Sequence, residues 1–236
     1  MALKGFLETI LDILYPPICF VCEKSLTDNE KEKRVCDNCL NSISINNTLF
    51  CPECRARLAN NEKICHKNSL YLLAAATSYN NEIAQKLIWE LKFNRRTIAA
   101  YPLAEMLGKY IYSLNFDFKD YLVIPIPLSK SRERERGFNQ ANEISKLLSY
   151  KMGLKIVNGA LVRIKNTKPQ TETNEWLERK INITGCFKIK NPELIKGQKI
   201  ILLDDVFTSG STLTEAAKIL KSAGAKKIIG LVTAKV

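Results

Sequence analysis

Histidine is almost missing from this 236-residue chain, which holds only His66. A mechanism built on an imidazole base therefore has a single candidate. No Gly-x4-Gly-Lys-Ser/Thr run occurs either, which removes the main support for an ATPase reading. Beyond the N-terminus no stretch approaches the apolar length needed to span a bilayer. The opening MALKGFLETILDILYPP is apolar, but Glu8 and Asp12 interrupt it and no small-residue cleavage site follows. It reads as an amphipathic helix, with Phe6, Leu7, Ile10, Leu11 and Leu14 on one face and Pro16 and Pro17 ending it. That face is expected to dock on the protein's own core, without stable membrane insertion, and a cytoplasmic setting follows from the missing export signal. Internal repeats and low-complexity linkers are not evident.

Acidic residues are the scarcer charge, 24 against 36 Lys and Arg. Residues 1–66 hold 8 basic and 9 acidic side chains, whereas residues 67–236 hold 28 and 15. The positive field thus belongs to the second part, where it would attract pyrophosphate and the phosphates of single-stranded DNA.

Cysteine is abundant only at the front. Seven of the eight cysteines form Cys19-x2-Cys22, Cys36-x2-Cys39, Cys51-x2-Cys54 and then Cys65-His66. A two-residue gap lets both thiolates turn toward one ion, and two such pairs complete a closed tetrahedral Zn²⁺ site with a structural role. The simplest grouping is Cys19, Cys22, Cys36 and Cys39, with Cys51, Cys54, Cys65 and His66 as a second site; interleaved pairing is equally allowed. Disulfides are disfavoured in the absence of an export signal. The expected division is a helix and zinc-binding module over 1–68 and an α/β domain over 69–236. Cys186 reads as a buried strand residue.

The most informative stretch is IILLDDVFTSGST, Ile200 to Thr212. Four large aliphatic residues without polar alternation predict a strand buried on both faces, as in a parallel sheet. Its carboxyl end is where ligands bind in such sheets, which places Asp204 and Asp205 at a crevice. Thr208, Ser209, Gly210, Ser211 and Thr212 then offer backbone N–H groups and hydroxyls at a helix start, where unpaired donors and the helix dipole favour phosphate. Two acids so close to a phosphate cradle suit a ribose 5-phosphate, its hydroxyls on the aspartates and Mg²⁺ nearby. A second strand, Asp120 to Pro127, runs into a basic loop in which Ser129, Lys130, Ser131 and Arg132 suit a departing pyrophosphate.

Further strands are expected at Leu70–Tyr79, Ala160–Ile164 and Lys227–Ala234, and helices at Glu82–Phe93 and Thr212–Ala223. Alternation of these elements predicts an α/β fold with a doubly wound, mostly parallel sheet. Residues 80–118 are the expected hood over the site, and the polar segment Val162 to Phe187 has the composition of a flap.

The Ile200–Thr212 pattern resembles the ribose-phosphate motif of type I phosphoribosyltransferases. Over nearly its whole length the chain resembles the ComF/GntX family of phosphoribosyltransferase-like competence proteins. The resemblance rests on Pro-Pro-x-Cys-x2-Cys, the later cysteine pairs, Leu91-Lys92-Phe93, and Pro125 to Ala141 with Arg136-Gly137-Phe138-Asn139-Gln140. It also rests on Arg163, Thr167, Gln170, Arg179, Asn182 and Phe187, and on the ribose-phosphate motif. One departure is Cys65-His66, where the family tends to carry another Cys-x2-Cys. The resemblance implies 5-phosphoribosyl-1-pyrophosphate as ligand, a role in DNA uptake and a helicase-like partner. Two functions compete on this reading: a Mg²⁺-dependent transferase displacing pyrophosphate, and a ligand-sensing adaptor that handles single-stranded DNA. A purely structural zinc scaffold is the third.

Overall fold

The computed structural model describes residues 16–59, 65–165 and 183–236. The expected N-terminal helix and the middle of the expected flap lie outside these residues. Five parallel strands form the central sheet: β1 (Leu72–Ser78), β2 (Tyr121–Pro125), β3 (Lys155–Ile156), β6 (Lys199–Phe207) and β7 (Lys227–Lys235), in the spatial order β1-β7-β6-β2-β3. The continuous apolar runs have the predicted cause. Side chains alternate across a strand, so Ile201 and Leu203 enter one core while Ile200 and Leu202 enter the other.

The first core receives α3 (Glu82–Lys92), α4 (Ala100–Ser113) and α6 (Gln140–Met152); the second receives α7 (Ser211–Ser222). Asn81 caps α3 by accepting the Ala84 N–H at 3.0 Å, and Gly153, at φ 65°, ends α6. The strand expected at Ala160–Ile164 forms as β4 (Leu161–Arg163), but outside the main sheet. It pairs antiparallel with β5 (Phe187–Ile189). Cys186, fully buried, immediately precedes β5. Of the expected hood, α4 is instead core: Leu103, Met106, Leu107 and Tyr110 are wholly buried.

The cysteine-rich part is built from two turns of one backbone design, joined by the short helices α1 (Asp28–Lys31) and α2 (Asp37–Asn41). In the first, Cys19 N–H donates to Lys24 O at 2.9 Å, Glu23 N–H to Cys19 O at 3.0 Å and Leu26 N–H to Pro17 O at 2.9 Å. In the second, Cys51 N–H donates to Ala56 O at 2.9 Å, Arg55 N–H to Cys51 O at 2.9 Å and Leu58 N–H to Leu49 O at 2.8 Å. The structure therefore contains a repeat, in which the backbone bonds recur together with the Cys-x2-Cys-x3-Leu spacing. This module shares the first core through Leu26, Val35, Leu40 and Leu49. It also runs along the outer side of β1, where Asn46 N–H donates to Ala76 O at 2.8 Å and Phe50 and Leu73 exchange hydrogen bonds of 2.7 and 3.0 Å.

Candidate functional site

A break in strand pairing makes the cleft. Against β2, β6 is paired only to Leu203, opposite Pro125, whereas against β7 it continues to Phe207. Beyond Leu203 one side of β6 is open, and there stand Asp204 and Asp205. The resulting cleft holds about 460 Å³. Besides the acids it is lined by residues 208–213, by Lys92 and Phe93 at the end of α3, by Arg163 of β4, and by Arg132, Glu135 and Arg136.

The acids are not equivalent. Asp205 makes a 2.8 Å ion pair with Lys92, both side chains being largely covered, and its carbonyl accepts a short hydrogen bond from the Thr233 hydroxyl. Asp204 accepts the Asp205 N–H at 2.9 Å. Burial, then the neighbouring Asp205 carboxylate, push Asp204 up to about 7 against the pull of Lys92 and Arg163. On the facing wall, burial and the adjacent Arg163 and Arg136 guanidinium groups lower the pKa of Arg132, and burial lowers that of Arg163. Removal from water thus weakens the charged form on both walls, and an anionic ligand would offset the cost on the arginine side.

The turn below has little freedom in its composition. Gly210 sits at φ 79°, and a Cβ there would lie 2.7 Å from the Phe207 ring, so only glycine fits. Gly210 itself contributes no capping side chain to α7; the Ser209 hydroxyl accepts the Ser211 N–H at 3.4 Å, and the start of this helix lines the cleft.

Thus the cleft brings together Asp204, Asp205, Thr208, Ser209, Gly210, Ser211, Thr212 and Arg132. Ser129, Lys130 and Ser131 are not in its lining. The segment expected as a basic loop is a helix, α5 (Lys130–Arg136), because Ser129 caps it and Gly137, at φ 84°, ends it. Ser129 is buried, accepting the Arg132 N–H at 3.4 Å, with the Ser131 hydroxyl 3.1 Å away. Lys130 lines an adjoining hollow of about 680 Å³, which shares Leu128 and Arg163 with the cleft. Lys92 has the contact that sequence reasoning missed; no local pattern links it to Asp205.

Both metal-type clusters are assembled in chain order, not interleaved. The ligand atoms of Cys19, Cys22, Cys36 and Cys39 lie within 4.8 Å of one another, as do those of Cys51, Cys54, Cys65 and His66. The Cys22–Cys36 and Cys54–Cys65 sulfurs are 3.7 and 3.4 Å apart, and His66 Nδ1 lies 3.3 Å from the sulfurs of both Cys51 and Cys65. Four thiolates bonded at about 2.3 Å around a tetrahedral Zn²⁺ would be separated by about 3.8 Å, so the donor sets fit zinc. Burial would raise Cys19, but N–H groups of Cys22, Cys36 and Val21 outweigh it and bring it down to about 7. Cys51 is likewise drawn down to about 6 against its burial by N–H groups of Cys54 and Glu53 and by Cys65 and His66. Both thiolates are favoured as ligands.

Comparison with known proteins agrees with both halves. Residues 107–235 match the phosphoribosyl transferase domain and residues 10–69 the double zinc ribbon domain. The DNA utilization protein YhgH of Salmonella typhimurium is 27% identical over 222 residues, 90% of this chain and 94% of that protein. Competence protein ComFC of Bacillus subtilis is 26% identical over 232 residues, 88% and 90% of the two chains. The adenine phosphoribosyltransferase structure from Thermoanaerobacter pseudethanolicus aligns with 61% of this chain and 83% of its own, at 17% identity and a TM-score of 0.34. The fold and the domain match define a phosphoribosyltransferase-like α/β protein. With its double zinc ribbon ahead of that domain, the chain belongs to the ComF family.

Proposed function

We propose that the cleft binds 5-phosphoribosyl-1-pyrophosphate together with Mg²⁺. The observation that carries this reading is the acid pair at the β2–β6 break, set shortly before a small-residue turn and helix start that line the same cleft. The 5-phosphate lies on Thr208 to Thr212, the ribose hydroxyls meet Asp204 and Asp205, and Arg132, with Arg136 and Arg163, faces the pyrophosphate. Two covered carboxylates beside a cationic wall suit a hard divalent ion held with substrate oxygens, and Mg²⁺ would supply charge neutralisation to the leaving pyrophosphate. In the transfer, a nitrogen nucleophile forms a bond to the anomeric carbon while the carbon–oxygen bond to pyrophosphate breaks, through an oxocarbenium-like state that the residues hold in place. His66 belongs to the second metal cluster and is not the base.

Calorimetric titration with Mg²⁺-5-phosphoribosyl-1-pyrophosphate tests the site: saturable one-to-one binding is expected, and none in folded, zinc-loaded protein would remove the reading. The names of two relatives, a DNA utilization protein and a competence protein, support a role in DNA uptake; on this reading the protein works in the cytoplasm beside a helicase-like partner. Among the described residues no helix is long and apolar enough to cross a membrane.

A second reading, an adaptor for single-stranded DNA, has its own observation. Trp89 and Phe93 are 50% and 53% exposed with ring centroids 5.6 Å apart, and Arg136 lies 5.8 Å over Phe93 at the cleft wall. Exposed rings beside arginines suit stacked bases and phosphates. Affinity for a single-stranded oligonucleotide should then fall steeply between about 50 and 200 mM salt, by roughly 300-fold if about six phosphates are engaged. Salt-insensitive or absent binding would eliminate this role.

A further inference from the structure

Resting on the phosphate-turn reading above, we infer that Arg55 is a positioning residue tying the second metal cluster to the phosphate turn. Arg55 follows Cys54, and its N–H donates to the Cys51 carbonyl at 2.9 Å. The same turn therefore presents two ligands of the cluster and fixes the Arg55 backbone. From there the guanidinium crosses to the cleft: Nη2 donates to Thr208 O at 2.8 Å and Nη1 to Val236 O at 3.2 Å, with the Phe207 ring centroid 5.7 Å from the guanidinium carbon. Val236 N–H in turn donates to Phe207 O at 2.9 Å, so one fork holds the ends of both β6 and β7.

Thr208 opens the turn. A peptide is planar and trans, so a carbonyl held toward Arg55 points the Ser209 N–H in the opposite direction within the same plane. Ser209 lines the cleft, and its amide is one of the donors an anion needs there. Arg55 thus sets the aim of a phosphate-binding group without touching phosphate. The backbone gains nothing from an arginine here, since φ is 63°, a conformation that costs about 1 kcal/mol for a residue with a Cβ. The first ribbon provides an internal comparison: Glu23 has the same turn at φ 62° and the same bond to its cysteine carbonyl. Among the described residues Glu23 makes no hydrogen bond to the phosphate turn. The metal cluster of Cys51, Cys54, Cys65 and His66 accordingly governs how well the cleft holds a phosphate monoester, although it contributes no ligand contact.

Arg55→Gly deletes the fork while relieving the left-handed backbone. Hydrogen exchange read by mass spectrometry should show faster exchange confined to residues 208–211, with metal content and melting temperature near those of the parent. Affinity for Mg²⁺-5-phosphoribosyl-1-pyrophosphate should weaken about tenfold, with partial recovery in Arg55→Lys, which can donate to one carbonyl. Cys54→Ser should loosen the same amides, whereas Cys22→Ser, in the first cluster, should not. Unchanged exchange at the turn in Arg55→Gly would overturn the inference, as would faster exchange spread across the sheet or equal loosening by both cysteine variants. Should the parent bind no 5-phosphoribosyl-1-pyrophosphate, the functional reading fails, while the exchange comparison still decides the role of Arg55.

Discussion

Asp204→Asn is expected to weaken binding of Mg²⁺-5-phosphoribosyl-1-pyrophosphate by about a hundredfold and, at pH 8, to raise the melting temperature by about 5 °C. The two effects share one cause. Burial and the adjacent Asp205 carboxylate hold Asp204 up at about 7, far above its value near 4 in an open chain. An acid shifted in that direction contributes stability that is fully present below about pH 4 and is lost as pH rises through about 7. Above that range the folded protein carries a buried charge that it would be more stable without. Asparagine keeps an oxygen for the Asp205 N–H but cannot ionise, so it should recover about 2 kcal/mol at pH 8. A melting series across pH 4 to 8 checks the sign: the advantage of the variant should be absent at pH 4 and grow toward pH 8. Lower stability of the variant at pH 8 would mean that ionised Asp204 is a structural partner and not a strained site group. Retained affinity would mean that the ligand does not use it.

Stripping the metal is expected to be more damaging to the fold than any single substitution in the cleft. Elemental analysis should find two zinc ions per chain, one for each cluster of four ligands. Structural zinc in small modules contributes about 10–16 kcal/mol of apparent binding energy at neutral pH, and a hairpin without metal cannot replace that from its own core. Here the loss would spread, because Leu26, Val35, Leu40 and Leu49 pack in the same core as α3, α4 and α6. Chelation should therefore lower the melting temperature by well over about 10 °C, with change in the helical circular dichroism and not only at the ribbon. One zinc ion per chain, or a melting curve unaltered by chelation, would contradict the two-cluster account.

What could be read from the sequence was whatever lies within a few residues of itself. The aliphatic run, the acid pair and the small-residue turn occupy thirteen consecutive positions, and β6, the turn and α7 follow from them. Cys-x2-Cys spacing announced metal ligands for the same reason. Partnership across the chain was not legible: the spacing left the cysteine grouping open, and nothing near Lys92 or Arg55 points to Asp205 or Thr208. The error at α5 is of another kind. Lys130 to Arg136 has no apolar period, so it was expected as a loop, yet Ser129 and Gly137 carried the start and stop signals of a helix. The duplicated ribbon turn was partly written in the recurring Cys-x2-Cys-x3-Leu spacing, but its extent shows only in the matching backbone hydrogen bonds, since the side chains between differ, as at Glu23 and Arg55.

The run of the ribbon along β1 bears on solubility. A flat strand such as Leu72–Ser78, rich in alanine and leucine and without charge, is an adhesive surface when its N–H and C=O groups are left open to other chains. Asn46 and Phe50 occupy that row, and the Thr77 hydroxyl donates to Ser44 O at 2.6 Å. The cysteine-rich segment thus shields the sheet from self-association, and losing its metal would expose a template for aggregation as well as loosen a fold.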